Sequence, residues 1–115
     1  MSEALPSFAE VTAVRPVAGA PGRFDAHLPP SWSTPGGVHG GVLVAAGLRA
    51  ALAGLQRPEL SLRTAHAVFL SPPGHDVVFD VTSLRQGAGS AHLRVSGSCA
   101  REDRPAVDLT VVLTA

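Results

Sequence analysis

The sequence predicts an α+β domain, with one long buried helix packed on a face of an antiparallel sheet. Three observations carry this. The run Val38–Leu55 is apolar over 18 residues apart from His39 and Arg49. Ser90–Ala100 alternates, with Ala91, Leu93, Val95, Gly97 and Cys99 set against His92, Arg94, Ser96 and Ser98. Ala106–Thr114 alternates again, with Val107, Leu109, Val111 and Leu113 facing one way. Period two is the mark of a half-buried strand, and a helix apolar nearly all round must be surrounded rather than laid on a surface.

The elements follow in order. Phe8–Val17 reads as a first strand, interrupted late by Pro16, and Ala18–Gly22 as a turn. Arg23–Leu28 alternates as a second strand. Pro29–Gly37 is a loop, and the helix runs from Val38 to about Gln56, where Arg57-Pro58 ends it. Ser61–Leu70 is a strand closed by Ser71-Pro72-Pro73-Gly74. Asp76–Gln86 is the next, and Gly87-Ala88-Gly89 turns into Ser90–Ala100. The charged turn Arg101–Pro105 leads to the last strand, Ala106–Thr114. Short turns between successive strands make the sheet antiparallel, with polar faces toward water. Its open edges predict self-association.

At 115 residues the chain has the size of one domain, taken as residues 1–115. The formal charge is zero and nine arginines are scattered, so there is no basic stripe for nucleic acid and no charged amphipathic helix for a membrane surface. The 18-residue apolar run holds Arg49, four glycines and much alanine, and reads as a core helix rather than a membrane span. The N-terminus lacks the basic region and apolar core of a secretory signal. One cysteine, Cys99, excludes an internal disulfide and fits a reducing cytoplasm. Lys, Ile, Asn and Tyr are absent, which fits codon bias in a GC-rich bacterial genome.

The chemistry concentrates at Pro35-Gly36-Gly37-Val38-His39-Gly40-Gly41, where a glycine-rich turn enters the helix. A first helical turn presents N–H groups without intrahelical partners, at the positive end of the macrodipole. Gly40 and Gly41 have no side chains to hold a ligand away, so a carbonyl oxygen or oxyanion fits there. His39 is the only titratable side chain at the junction, and its type suits a general base. The same residues also serve plain structure: a loop-fixing histidine, and glycines for close packing against a strand. Trp32 is a packing residue of the preceding loop. Asp80, His66, His92, Arg85 and Arg94 lie on strands, where solvated faces account for them. The five histidines are too widely spaced for a metal site, and no cofactor motif is present. Gly87-Ala88-Gly89-Ser90 is a hairpin turn, since no Gly-Lys-Ser/Thr follows it.

Trp32, the Gly37-Val38-His39-Gly40-Gly41 junction and its helix resemble the start of a hotdog-fold acyl-CoA thioesterase domain. Phe69-Leu70-Ser71-Pro72 is similar to that family's Phe-Leu-x-Pro strand end, and Arg85-Gln86-Gly87-Ala88-Gly89-Ser90 to its Arg-x-Gly-x-Ser hairpin. The resemblance is closest to the N-terminal repeat of thioesterase II type double-hotdog proteins. It implies an antiparallel sheet wrapped around one central helix, working as a homodimer or dimer of dimers on an acyl-CoA or acyl-carrier thioester. It implies His39, Gly40 and Gly41 as catalytic residues, with Trp32, Val38 and Phe69 against substrate. One departure stands out: the Asp or Glu that hotdog thioesterases carry on or near the helix is missing, since no carboxylate lies between Asp25 and Glu59. The last strand also lacks the Gln of the double-hotdog catalytic repeat. The alternative is a non-catalytic acyl-thioester binding or partner subunit.

Overall fold

The computed structural model describes residues 7–34, 37–38 and 40–115, with backbone alone for 33–34 and 37–38. The chain opens with a short helix where a strand is expected over Phe8–Val17. Ser7 caps α1 (Phe8–Val11): its Oγ accepts from the Glu10 N–H at 3.2 Å, and its own N–H donates to Glu10 Oε1 at 3.3 Å. This reciprocal capping box satisfies donors that a strand start leaves open. Of the expected strand only β1 (Arg15–Pro16) pairs, at the sheet edge where proline's missing N–H is tolerated. The Ser-x-x-Glu spacing was the legible signal for the helix.

After β2 (Arg23–His27) the expected loop contains a single 3-10 turn, Pro30–Trp32, and a small antiparallel pair, β3 (Ser33–Thr34) with β4 (Gly37–Val38). The long helix α2 (Gly40–Leu55) follows, then β5 (Ser61–Phe69), β6 (Asp76–Gln86), β7 (Ser90–Cys99) and β8 (Arg104–Thr114). One six-stranded antiparallel sheet runs β1-β2-β6-β7-β8-β5. Its ladder slips at three bulges, between Leu62 and Thr64, Ser83 and Arg85, and Gly97 and Ser98, each of which bends the sheet.

The expected alternation holds on β7 and β8. Ala91, Leu93 and Val95 of β7 and Val107, Leu109, Val111 and Leu113 of β8 are buried, together with Phe79 of β6 and Phe24 of β2. They face Val42, Leu43, Ala46 and Ala50 of α2. Gly40, Gly47 and Gly54 recur every seventh residue and so share one face of the helix. That face meets the sheet: a Cβ at Gly47 would stand 2.6 Å from Leu109 Cδ1, and one at Gly54 3.3 Å from Val81 Cβ. Gln56, at φ 54°, turns the chain out of the helix before Pro58.

The helix is not surrounded within a single chain, contrary to the expectation from its composition. One side lies on the sheet, and Arg49 ties another to α1 by donating to the Ala9 carbonyl at 2.6 Å and Thr12 Oγ1 at 3.1 Å. Leu48 is only half-buried and Leu52 is 47% exposed. β5, on the sheet's other edge, has no fully buried residue. No helix among the described residues is long and apolar enough to cross a membrane.

Candidate functional site

The start of α2 and the end of β5 converge. Gly40 opens the helix, and a Cβ there would lie 3.1 Å from Cζ and 3.3 Å from Cε1 of Phe69. Only glycine lets the ring approach so closely. Beside this contact is a cleft of about 290 Å³, with Gly40 and Leu43 of α2 as its floor and the segment Phe69–Pro73 as its wall. Of the residues singled out in the sequence, Gly40 and Phe69 are thus brought together. Gly41 follows in the same first turn. His39 and the side chain of Val38 lie outside the described residues.

The wall is held from behind. The Leu70 and Ser71 N–H groups donate to the Ala106 carbonyl at 2.8 and 3.3 Å. Ser71 Oγ donates to the Pro105 carbonyl at 2.5 Å, and Arg104 Nη1 to the Pro72 carbonyl at 2.9 Å. The hydrogen bond from Arg104 Nε to Glu102 holds the guanidinium pKa above its ordinary value. Sequence reasoning missed these anchors, because the register of β8 against β5 alone sets residues 104–106 beside residues 70–72.

Trp32 is half-buried, its ring 5.9 Å from that of Phe8 at an angle of 52°. The sequence did not pair these two, having read Phe8 as the start of a strand.

A second cleft, of about 420 Å³, opens beyond Gly74. His75 clamps its rim: its Nδ1 donates to the Leu28 carbonyl and its own carbonyl accepts from the Leu28 N–H, both at 2.7 Å. A carbonyl cannot donate, so Nδ1 carries the proton. His27 Nδ1 lies 2.8 Å from Asp76 Oδ1. That hydrogen bond, aided by the charges of His27, Arg101 and His75, holds the Asp76 carboxyl below the usual carboxylate range. Arg101 and Arg104 stand in this lining beside the carboxylates of Asp76 and Glu102. Among the described residues no three His, Cys, Asp or Glu side chains gather as metal ligands.

The strand residues weighed as alternatives lie on the outer face. Asp80 receives both Arg23 Nε and Nη2, at 2.8 and 3.3 Å, and Asp108 receives Arg94 Nε and Nη2 at 2.9 and 3.0 Å, all exposed. His66 and His92 are exposed as well.

The arrangement is a glycine helix start facing a Phe-Leu-Ser-Pro wall, within an antiparallel sheet that carries one long helix. The family model of the acyl-CoA thioesterase N-terminal domain matches residues 28–114. The chain belongs to this family. Its fold is the hotdog fold. The tesB protein of Mycobacterium avium subspecies paratuberculosis superposes with a TM-score of 0.78 at 21% identity, covering 93% of this chain and 41% of that one. Acyl-CoA thioesterase II TesB2 of Mycobacterium marinum gives 0.75 at 16% identity, covering 94% and 38%. A mutant of the phenylacetic acid degradation protein PaaI of Thermus thermophilus gives 0.77 at 21%, covering 93% and 96%. The thioesterase domain family thus includes this chain, which spans about two fifths of the tesB protein and TesB2 chains and nearly all of PaaI. No curated protein matches it by sequence.

Proposed function

We propose that the chain is an acyl-CoA thioesterase-like hydrolase, with residues 1–115 as a single hotdog domain. The observation that carries this reading is the cleft between the Gly40 helix start and the Phe69–Pro73 wall, in a chain of the acyl-CoA thioesterase family. The thioester carbonyl points at the first turn of α2, Gly40 and Gly41, where the positive end of the helix dipole favours the developing oxyanion. His39 positions or activates the attacking water. Phe69, Val38 and Trp32 contact the acyl or pantetheine part, and no cofactor is required.

The working form is a homodimer or a dimer of dimers in the bacterial cytoplasm. Two copies supply the pair of hotdog units that one thioesterase II chain has room for. Leu52 of α2 and Leu62 and Phe69 of β5, all exposed, support pairing of the β5 edge and the open side of α2 with a second copy.

A second reading has its own observation. Arg49, near the place where the family's helix acid is expected, is bonded to Ala9 and Thr12 of the N-terminal segment, and α2 carries no carboxylate. This favours an acyl-thioester binding or partner subunit without turnover.

Thiol release from a panel of short, long and aromatic acyl-CoAs separates the two readings. Clear turnover, cut about 100-fold or more in His39→Ala, supports the hydrolase with His39 as base. Turnover that survives removes His39 as base. A folded protein that binds acyl-CoA and never turns it over is the second reading.

A further inference from the structure

Pro72 and Pro73 form the far part of the cleft wall, and neither has an N–H to pair with β8. Leu70 and Ser71 can be held by backbone donors, and they are. Beyond them the two prolines have backbone acceptors but no donors. Arg104 takes the Pro72 carbonyl at 2.9 Å, while its Nε is fixed by Glu102 Oε2 at 2.8 Å. The planar fork thereby joins the β7–β8 turn to the wall in one geometry, which a flexible ammonium reproduces only in part. Glu102, two residues before Arg104, aims the guanidinium without touching the wall.

We infer that Arg104 is a positioning residue for acyl-thioester recognition: through the Pro72 carbonyl it sets the height of the Leu70–Pro73 wall over the Gly40 helix start. Glu102 acts through Arg104, and Ser71, by its bond to Pro105, works beside it. This rests on the reading of that cleft as the acyl-thioester site. Arg104 touches no reacting atom in this scheme, so it governs affinity and acyl selectivity and leaves the chemical step alone.

The test uses the full chain with Arg104→Ala, Arg104→Lys and Glu102→Gln. Hydrogen exchange at the Leu70 and Ser71 amides reports the wall directly, and binding of a series of S-alkyl-CoA thioethers reports recognition whether or not the protein turns over. Arg104→Ala is expected to speed exchange at Leu70 and Ser71 about tenfold and to weaken thioether binding about tenfold, the scale of one charge-assisted hydrogen bond. Where the wild type hydrolyses acyl-CoA, KM rises by a similar factor and kcat stays within about twofold. Arg104→Lys recovers part of both effects, and Glu102→Gln gives a smaller loss of the same sign. Exchange unchanged in Arg104→Ala overturns the tether. Faster exchange with unaltered binding overturns the role in recognition. A matching fall in kcat, with no partial rescue by lysine, makes Arg104 a general structural residue and also overturns it. A wild type that neither binds nor hydrolyses sinks the site reading and this inference with it, whereas wild-type binding matched by Arg104→Ala sinks this inference alone.

Discussion

Phe69 and Gly40 touch across the junction of β5 and α2, the ring's Cζ lying 3.1 Å from where a Cβ on Gly40 would stand. A methyl at Gly40 therefore pushes the ring by a few tenths of an ångström and reshapes the cleft. Phe69 is 58% exposed, so the ring can yield and the fold survives. Gly40→Ala is expected to lower kcat/KM about tenfold or more, and Phe69→Ala to lower it as well. The double variant should lose less than the two effects multiplied, because removing the ring makes room for the methyl. Steady-state kinetics on the four proteins checks this, and strict additivity would show that the contact plays no part in the site.

Gly97 tests the core rather than the site. A Cβ there would come within 2.8 Å of Val107 Cγ1 and 2.9 Å of Phe79 Cε1, both fully buried side chains. Overpacking of this kind costs about 1–3 kcal/mol. Gly89, in the β6–β7 turn, has nothing within 4 Å of its missing Cβ. Gly97→Ala should lower the urea midpoint clearly and Gly89→Ala hardly at all. Equal midpoints would mean that the sheet relaxes around the added methyl.

The segment Asp76–Gln86 read between its turns matches β6, and period-two alternation came within two residues of both ends of β7 and β8, because one face of each of those two strands is covered and the other is wet. The helix was legible from its apolar run, and its end from Arg57-Pro58. The N-terminus was misread because Phe8 to Val17 has the composition of a strand, while a local capping box between Ser7 and Glu10 decides the conformation. At the site, Gly40 and Phe69 were legible as a family pattern. Their mutual contact was not, since 29 positions separate them and only the folded chain brings the start of α2 to the end of β5. Arg104 gave no signal at all: its partner Pro72 is 32 positions away and is recognised through a backbone carbonyl, which no side-chain pattern records.

The open side of α2 predicts its own sensitivity. Leu52 is 47% exposed on the helix in a single chain, and Leu48, one turn earlier, is half-buried. If a second copy covers this side, Leu52→Glu places an unpaired charge in an apolar contact, which costs several kcal/mol. Sedimentation velocity should then show the wild type as dimer or larger and Leu52→Glu as monomer. Arg15→Gln lies on β1, at the opposite edge of the sheet from β5, and should leave the assembly intact. A wild type that sediments as a monomer at every concentration would remove the homodimer.

The His27–Asp76 pair predicts an acid limb in stability. Asp76 is held below its ordinary value of 3.8, first by the hydrogen bond from His27. The folded protein thus favours the ionised carboxylate more than the unfolded chain does. Stabilisation from a depressed carboxyl is complete above its unfolded value and is lost as the pH falls through the lower, folded one. Both side chains are about half exposed, so the pair is worth only about 0.2–1 kcal/mol. Asp76→Asn should therefore unfold slightly earlier than wild type at neutral pH, and the gap should close as the pH falls through the lowered, folded value of wild-type Asp76. Urea midpoints of the two proteins across that range test the sign. A gap that widened on acidification would mean that the carboxylate is disfavoured by the fold, and that the charges of Arg101 and His75 do not reach it.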